Sequence, residues 1–142
     1  MKQYCNLAFG YAVAAMAGGV FYREFTKFNG FDGRTALGVV HTHLFLLGMV
    51  FFLLAALLAK QTPLREQKTA KPFFFLYNGG LCLTAVMLLV RGVCQVLGTP
   101  LSKGADAAIS GMAGIGHLLL GTGLVLFFLA LKKAVAQTEA TV

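Results

Sequence analysis

Three histidines are the residues of this chain whose type and position could do chemistry. His41, His43 and His117 lie inside long apolar segments, and the other ionisable side chain that we place inside such a segment is Arg91. Ionisable groups at membrane depth are costly, so each marks a candidate functional site. An imidazole in such a position serves as a metal or heme ligand, as a proton carrier or as a hydrogen-bonding group.

The apolar segments predict an all-α integral membrane protein. Of the residues, 58% are hydrophobic and 12% are charged, and a helix needs about 20 apolar residues to cross the hydrocarbon core. We expect a single domain over 1–142 that forms an antiparallel four-helix bundle, with helices at about residues 5–25, 36–59, 73–98 and 107–131. The first apolar run is longer than that of a signal peptide, so we count it as a helix.

The lysines and arginines predict the orientation of the bundle. Seven of them fall on one side of the four spans and four on the other. Positive residues favour the cytoplasm, so we expect both termini to be cytoplasmic in a multi-pass protein of the inner (cytoplasmic) membrane. The seven are Lys2, Lys60, Arg65, Lys68, Lys71, Lys132 and Lys133, and the four are Arg23, Lys27, Arg34 and Lys103.

Several common protein classes do not fit the sequence. The net charge is +7, but no basic stripe alternates with aromatic residues, so we expect no nucleic-acid partner. Cys5, Cys82 and Cys94 show no Cys-x-x-Cys spacing, which argues against a disulfide framework or a thiol oxidoreductase. The nucleotide-binding, hydrolase and zinc-protease motifs are absent.

Depth and rotation separate the roles of the histidines. At 1.5 Å per residue, His41, His43 and Arg91 lie about 8 to 10 Å from the outer ends of their spans, and His117 lies about 15 Å from its own. All four residues therefore belong to the outer half of the bilayer. Residues i and i+2 of a helix point about 200° apart, so His41 and His43 serve different neighbours, and a three-histidine zinc site would require a distorted helix.

Small residues surround His117. Ser110 with Gly114 and Ala107 with Gly111 form small-xxx-small pairs on the predicted fourth helix. Such pairs are typical of close helix packing, and they also leave space for a flat macrocycle beside a ligand. A porphyrin held between imidazoles of two facing helices uses buried histidines in this way.

The second span also resembles a known helix. The run from Gly38 to Met49, which reads GVVHTHLFLLGM, resembles the His-x-His helix of heme-copper oxidase subunit I. The whole chain resembles a family of short four-helix bacterial membrane proteins of unassigned function. The oxidase resemblance implies His41 as a high-spin heme ligand and His43 as a low-spin heme ligand. It also implies a low-spin ligand from another helix, for which His117 remains.

The departures from the oxidase pattern limit what the resemblance implies. The chain has no His-His pair and no His-Pro-Glu-Val-Tyr motif. No copper is therefore expected, and oxygen reduction by the oxidase mechanism is not implied.

The prediction is a cytochrome b-like protein that holds one or two b hemes and works in electron transfer or in redox or gas sensing. His43 and His117 are the predicted iron ligands. His41 would serve a second heme, a small-ligand site or a subunit contact, and Arg91 would bind heme propionates, with Glu24 or Asp32 as its alternative partners. The expected partners are the lipid bilayer, further copies of the chain, and a quinone or respiratory redox protein.

Two other functions stay open at this point. A small transporter or channel could line a polar path with the histidines and Arg91, although no carboxylate lies at mid-membrane to relay protons. An assembly or structural subunit without a cofactor could use the histidines only for hydrogen bonds between helices. The sequence does not decide whether the protein is an enzyme.

Overall fold

The fold consists of four long helices. A computed structural model describes residues 2–140, and the regular elements in that range are all helical. The long helices are α1 (Lys2–Phe28), α2 (Leu37–Gln61), α3 (Ala70–Val96) and α4 (Lys103–Glu139), and a short 3₁₀ turn, Leu64–Glu66, joins α2 to α3. Each is long and apolar enough to cross a membrane, which confirms the predicted all-α fold with four long apolar helices. Met1, Thr141 and Val142 of the predicted domain lie outside the described residues.

The helix bounds differ most from the prediction in α4. Its start lies before residue 107 because Ser102 caps the helix, accepting a hydrogen bond from the Ala105 amide at 3.2 Å. Its end lies well beyond residue 131, since the alanine-rich segment after Leu131 contains no glycine or proline to stop a helix. Fully helical, α4 is about 55 Å long, which exceeds the hydrocarbon core of about 30 Å.

Consecutive helices run antiparallel. In α1, Tyr4 packs against Phe52 and Tyr22 packs against His41, so the start of α1 meets the end of α2. The pairs α2–α3 and α3–α4 are also antiparallel, and α2 therefore runs parallel to α4. We call the end with connections 29–36 and 97–102 the loop end, and the end with Lys2, connection 62–69 and Glu139 the tail end.

The backbones of α3 and α4 pack closely at several glycines. A Cβ atom added at Gly116 would lie 2.6 Å from Thr84 Oγ1, and one at Gly123 would lie 2.7 Å from the Tyr77 amide nitrogen. Small residues let the two backbones approach, as is common in membrane helices. The glycines that pack are thus not those expected, because Cβ atoms added at Gly111 and Gly114 would meet nothing within 4 Å.

Aromatic rings fill the tail half of the bundle and join α2 to α4. Phe52, Phe73 and Tyr77 are completely buried. Phe51 of α2 stacks on Tyr77 at 4.3 Å and contacts Phe127 of α4 at 4.9 Å. In the loop half, the rings that meet between α2 and α4 are instead those of His43 and His117.

A π-helical segment interrupts α2 directly after His43. It covers Leu44–Val50. In a π-helix the backbone hydrogen bonds join residues five apart instead of four, so each turn is wider than in an α-helix. The Leu47 carbonyl accepts a hydrogen bond from the Tyr77 hydroxyl at 2.9 Å. Gly48 faces the Tyr11 side chain so closely that a Cβ there would force a shift. Such segments occur frequently at functional sites.

Candidate functional site

His43 and His117 meet between α2 and α4. Their ring centroids are 6.3 Å apart and their ring planes are perpendicular, at 89°. His43 is half-buried and His117 is exposed at the surface of the single chain. The structure therefore brings together the two histidines that the sequence pairs, from helices that are not consecutive in the chain.

Both rings are fixed by the same backbone interaction. His43 Nδ1 lies 2.8 Å from the Val39 carbonyl oxygen, and His117 Nδ1 lies 2.7 Å from the Ala113 carbonyl oxygen. A carbonyl oxygen can only accept, so each Nδ1 donates its hydrogen. In the neutral ring, Nε2 then carries the free lone pair, which is the state of a metal-binding histidine.

Space is open beside this histidine pair. Gly114 and Gly121 lie three residues before and four residues after His117, on the same side of α4, and added Cβ atoms there would meet nothing within 4 Å. On the α2 side, a recess of 240 Å³ is lined by His43 with Thr42, Leu46 and Leu47. We call the recess on α2 and the open glycine face of α4, which lie on either side of the histidine pair, the histidine groove.

Arg91 lies on the loop side of the groove. Its guanidinium donates to Asp106 Oδ1 at 3.0 Å and to Ser110 Oγ at 2.7 Å. The carboxylate that Arg91 contacts is therefore Asp106 rather than either alternative partner, Glu24 or Asp32, because the first turn of α4 faces the last turns of α3. Ser110 lies two helical turns, about 10 Å, from His117 along α4 and on the same face.

His41 points away from the histidine pair. Its ring stacks near Tyr22 of α1 at 6.3 Å, and a Cβ added at Gly19 would contact the ring at 3.7 Å. The prediction that His41 and His43 face different sides of α2 is confirmed. His41 Nδ1 is buried and has no hydrogen-bond partner among residues 2–140.

A polar cluster near the middle of the bundle was not predicted. The Tyr11 hydroxyl donates to Asn78 Oδ1 at 2.7 Å and lies 3.7 Å from Cys82 Sγ. The Asn78 side-chain amide donates to the Phe74 carbonyl at 2.7 Å. A tyrosine and an asparagine in separate apolar spans were the available signal, because buried polar groups need partners. The cluster ties α1 to α3.

The structure limits the kinds of metal site that the chain can form. No group of three or more histidine, cysteine, aspartate or glutamate side chains comes together within residues 2–140. A metal macrocycle that carries its own equatorial ligands needs only two imidazoles from the protein.

These features define a class: a protein with four helices that are long and apolar enough to span a membrane, and with a histidine pair between its second and fourth helices. More particularly, the chain belongs to the family described as "Protein of unknown function (DUF2871)", whose model matches residues 1–134. This agrees with the predicted membership of a family of unassigned function. No curated protein and no solved structure matches the chain, and the oxidase resemblance of the second helix stays a prediction.

Proposed function

We propose that His43 and His117 are the axial ligands of one heme b. The observation that carries this proposal is the distance of 6.3 Å between the two ring centroids. Metal–imidazole bonds of about 2.0–2.1 Å, with each bonded nitrogen roughly 1.1 Å from its ring centre, place two opposed rings about 6.3 Å apart. Perpendicular ring planes are compatible with ligation on opposite faces of a porphyrin.

The state of the two rings supports the same proposal. Each Nδ1 is held by a backbone carbonyl in the preceding turn, which orients the ring and fixes the tautomer in which Nε2 is free to bind a metal. A histidine used only to join two helices would more simply direct a ring nitrogen at the other helix. Neither described Nδ1 contact crosses from α2 to α4.

The surroundings offer room and charge for a macrocycle. The bare backbone at Gly114 and Gly121 lets a flat group lie against α4, and Arg91 is placed about two turns away, where propionates would reach it. To bind them, Arg91 would add anionic partners to Asp106 and Ser110, which it already contacts.

Two protein ligands favour electron transfer over binding of a diatomic gas, because they fill both axial positions. Heme supplies a one-electron carrier, and the protein sets its potential through ligands, charge and burial. Since His117 is exposed on the single chain, we expect a second copy or lipid to cover the groove. A quinone or respiratory protein is the proposed redox partner, in the cytoplasmic membrane with both termini inside.

The test is the visible spectrum of the detergent-purified protein, oxidised and dithionite-reduced. We expect a sharp reduced α band and about one heme per chain. The variants His43→Ala and His117→Ala should each lose the band, because either substitution removes an axial ligand.

The matched control is His41→Ala. It removes an imidazole from the same helix, two residues away, but on the side that faces α1. The band should persist in this variant. A wild-type preparation that stays colourless even after heme supplementation contradicts the proposal. So does a band that is lost in His41→Ala but kept in His43→Ala. Either result would favour the transporter or the assembly-subunit hypothesis.

A further inference from the structure

A second recess lies at the tail end, far from the histidines. It has a volume of 380 Å³ and opens between the start of α1, the 3₁₀ turn and the start of α3. Its polar side carries Gln3, Arg65 and Lys71, and its apolar side carries Tyr4, Phe74 and Phe75. The proposed heme chemistry makes no use of it.

The polar side of this tail recess is cationic, and neither of its two cations is held in an ion pair within the described part of the chain. Arg65 and Lys71 are exposed, and the ion pairs found within residues 2–140 involve neither of them. The neighbouring carboxylate Glu66 lies with Arg65 along an adjacent recess, but the two side chains form no ion pair there. The start of α3 also lacks a side-chain cap, so its positive dipole end adds to the attraction for an anion.

The apolar side has the arrangement of a lipid-facing wall. Phe75 lies one helical turn, about 6 Å, beyond Lys71 along α3, and it is 73% exposed. Phe74 packs on the buried Tyr4 ring, with centroids 6.1 Å apart. The recess has charge at its mouth and an aromatic surface one turn deeper, which is the order of headgroup and acyl chain in a phospholipid. A free phosphate ion would make no contact with the aromatic wall.

We infer that the tail recess binds one anionic phospholipid, with its phosphate on Arg65 and Lys71 and an acyl chain along Phe75. The guanidinium binds two phosphate oxygens through a planar fork, and the ammonium adds a point charge. Basic pockets between membrane helices bind anionic headgroups in this way.

The test is native mass spectrometry of the full chain in detergent, titrated with phosphatidylglycerol or phosphatidylcholine. We expect a one-to-one adduct with phosphatidylglycerol at concentrations where phosphatidylcholine gives little. The double variant Arg65→Gln/Lys71→Gln should weaken that adduct about fivefold for each charge removed. Circular dichroism checks that the variant keeps its helices.

The matched control is Lys132→Gln/Lys133→Gln, which removes two exposed charges of α4 outside the recess. This variant should bind phosphatidylglycerol like the wild type. Equal loss in both double variants, equal binding of the two lipids, or displacement of the lipid by inorganic phosphate at matching concentration overturns the inference. The single variant Arg65→Gln keeps the test decisive if the double variant fails to fold.

Discussion

The Tyr77 hydroxyl on α3 donates a hydrogen bond to the Leu47 carbonyl on α2, at 2.9 Å. Leu47 lies in the π-helical segment that begins directly after His43. A wide turn disturbs the regular backbone bonds of a helix, and in a membrane every displaced carbonyl needs another donor. Tyr77 supplies a donor to the Leu47 carbonyl, so α3 is hydrogen-bonded to α2 in the turn that follows His43.

Replacing Tyr77 by phenylalanine should therefore destabilise the protein. The change leaves the Leu47 carbonyl without this donor, at a cost of about 1–3 kcal/mol. Thermal unfolding in detergent, followed by circular dichroism, measures it. Tyr22→Phe is the control, because the Tyr22 hydroxyl makes no hydrogen bond with residues 2–140, and equal loss in both variants would contradict the role given to Tyr77.

Two neighbouring glycines of α4 should respond oppositely to alanine. In Gly116→Ala the new Cβ meets Thr84, so α3 and α4 must separate, at about 1–3 kcal/mol. In Gly114→Ala the Cβ enters open space, and a better helix former should leave stability unchanged or slightly higher. Unfolding curves of the two variants in one detergent check the contrast, and similar curves would refute the packing described here.

A large side chain at Gly114 should block the proposed heme without disturbing the fold. We expect Gly114→Leu to keep its helices and to lower the heme-to-protein ratio by about half or more, since the side chain would occupy the groove beside His117. Pyridine hemochrome assays measure the ratio. Gly111→Leu is the control, because Gly111 is equally open but lies about 120° around the helix from His117. Full heme content in Gly114→Leu would place the macrocycle elsewhere.

Arg91 and Asp106 should shift the heme potential in opposite directions. The added electron of the reduced state is stabilised by a positive charge, so Arg91→Gln should lower the midpoint potential and Asp106→Asn should raise it. A unit charge about 10 Å away at an effective dielectric constant of about 20 contributes about 1.7 kcal/mol, or about 70 mV for one electron. Redox titration at low salt measures both variants, and shifts of the same sign would show a structural rather than an electrostatic effect.

The sequence predicted those parts of the fold that depend on composition and helical rotation. Four apolar runs produced four helices within a few residues, apart from the longer α4. The 200° rotation between His41 and His43 placed them correctly on different sides of α2. These properties belong to single segments, and no knowledge of the neighbouring helix is needed to derive them.

The features that were missed depend on the register between helices. Asp106 was placed outside the fourth span, so its contact with Arg91 required knowing which turns of α3 and α4 face each other. The α4 sequence offers several small-residue pairs, and the facing residues Thr84 and Tyr77 select Gly116 and Gly123 instead of Gly111 and Gly114. No local pattern marks the π-helical segment, whose stability comes from Tyr77 on another helix.

The histidine pair joins the first helical hairpin to the second, and this has a consequence for biosynthesis. His43 belongs to α2 and is translated with the first hairpin, but His117 belongs to α4, which follows α3 in the chain. Any group held by both rings can be acquired only after α4 has docked on α3. Acquisition of that group would then follow the docking of α4, and a ribosome-bound chain stalled before α4 would be helical, membrane-integrated and empty.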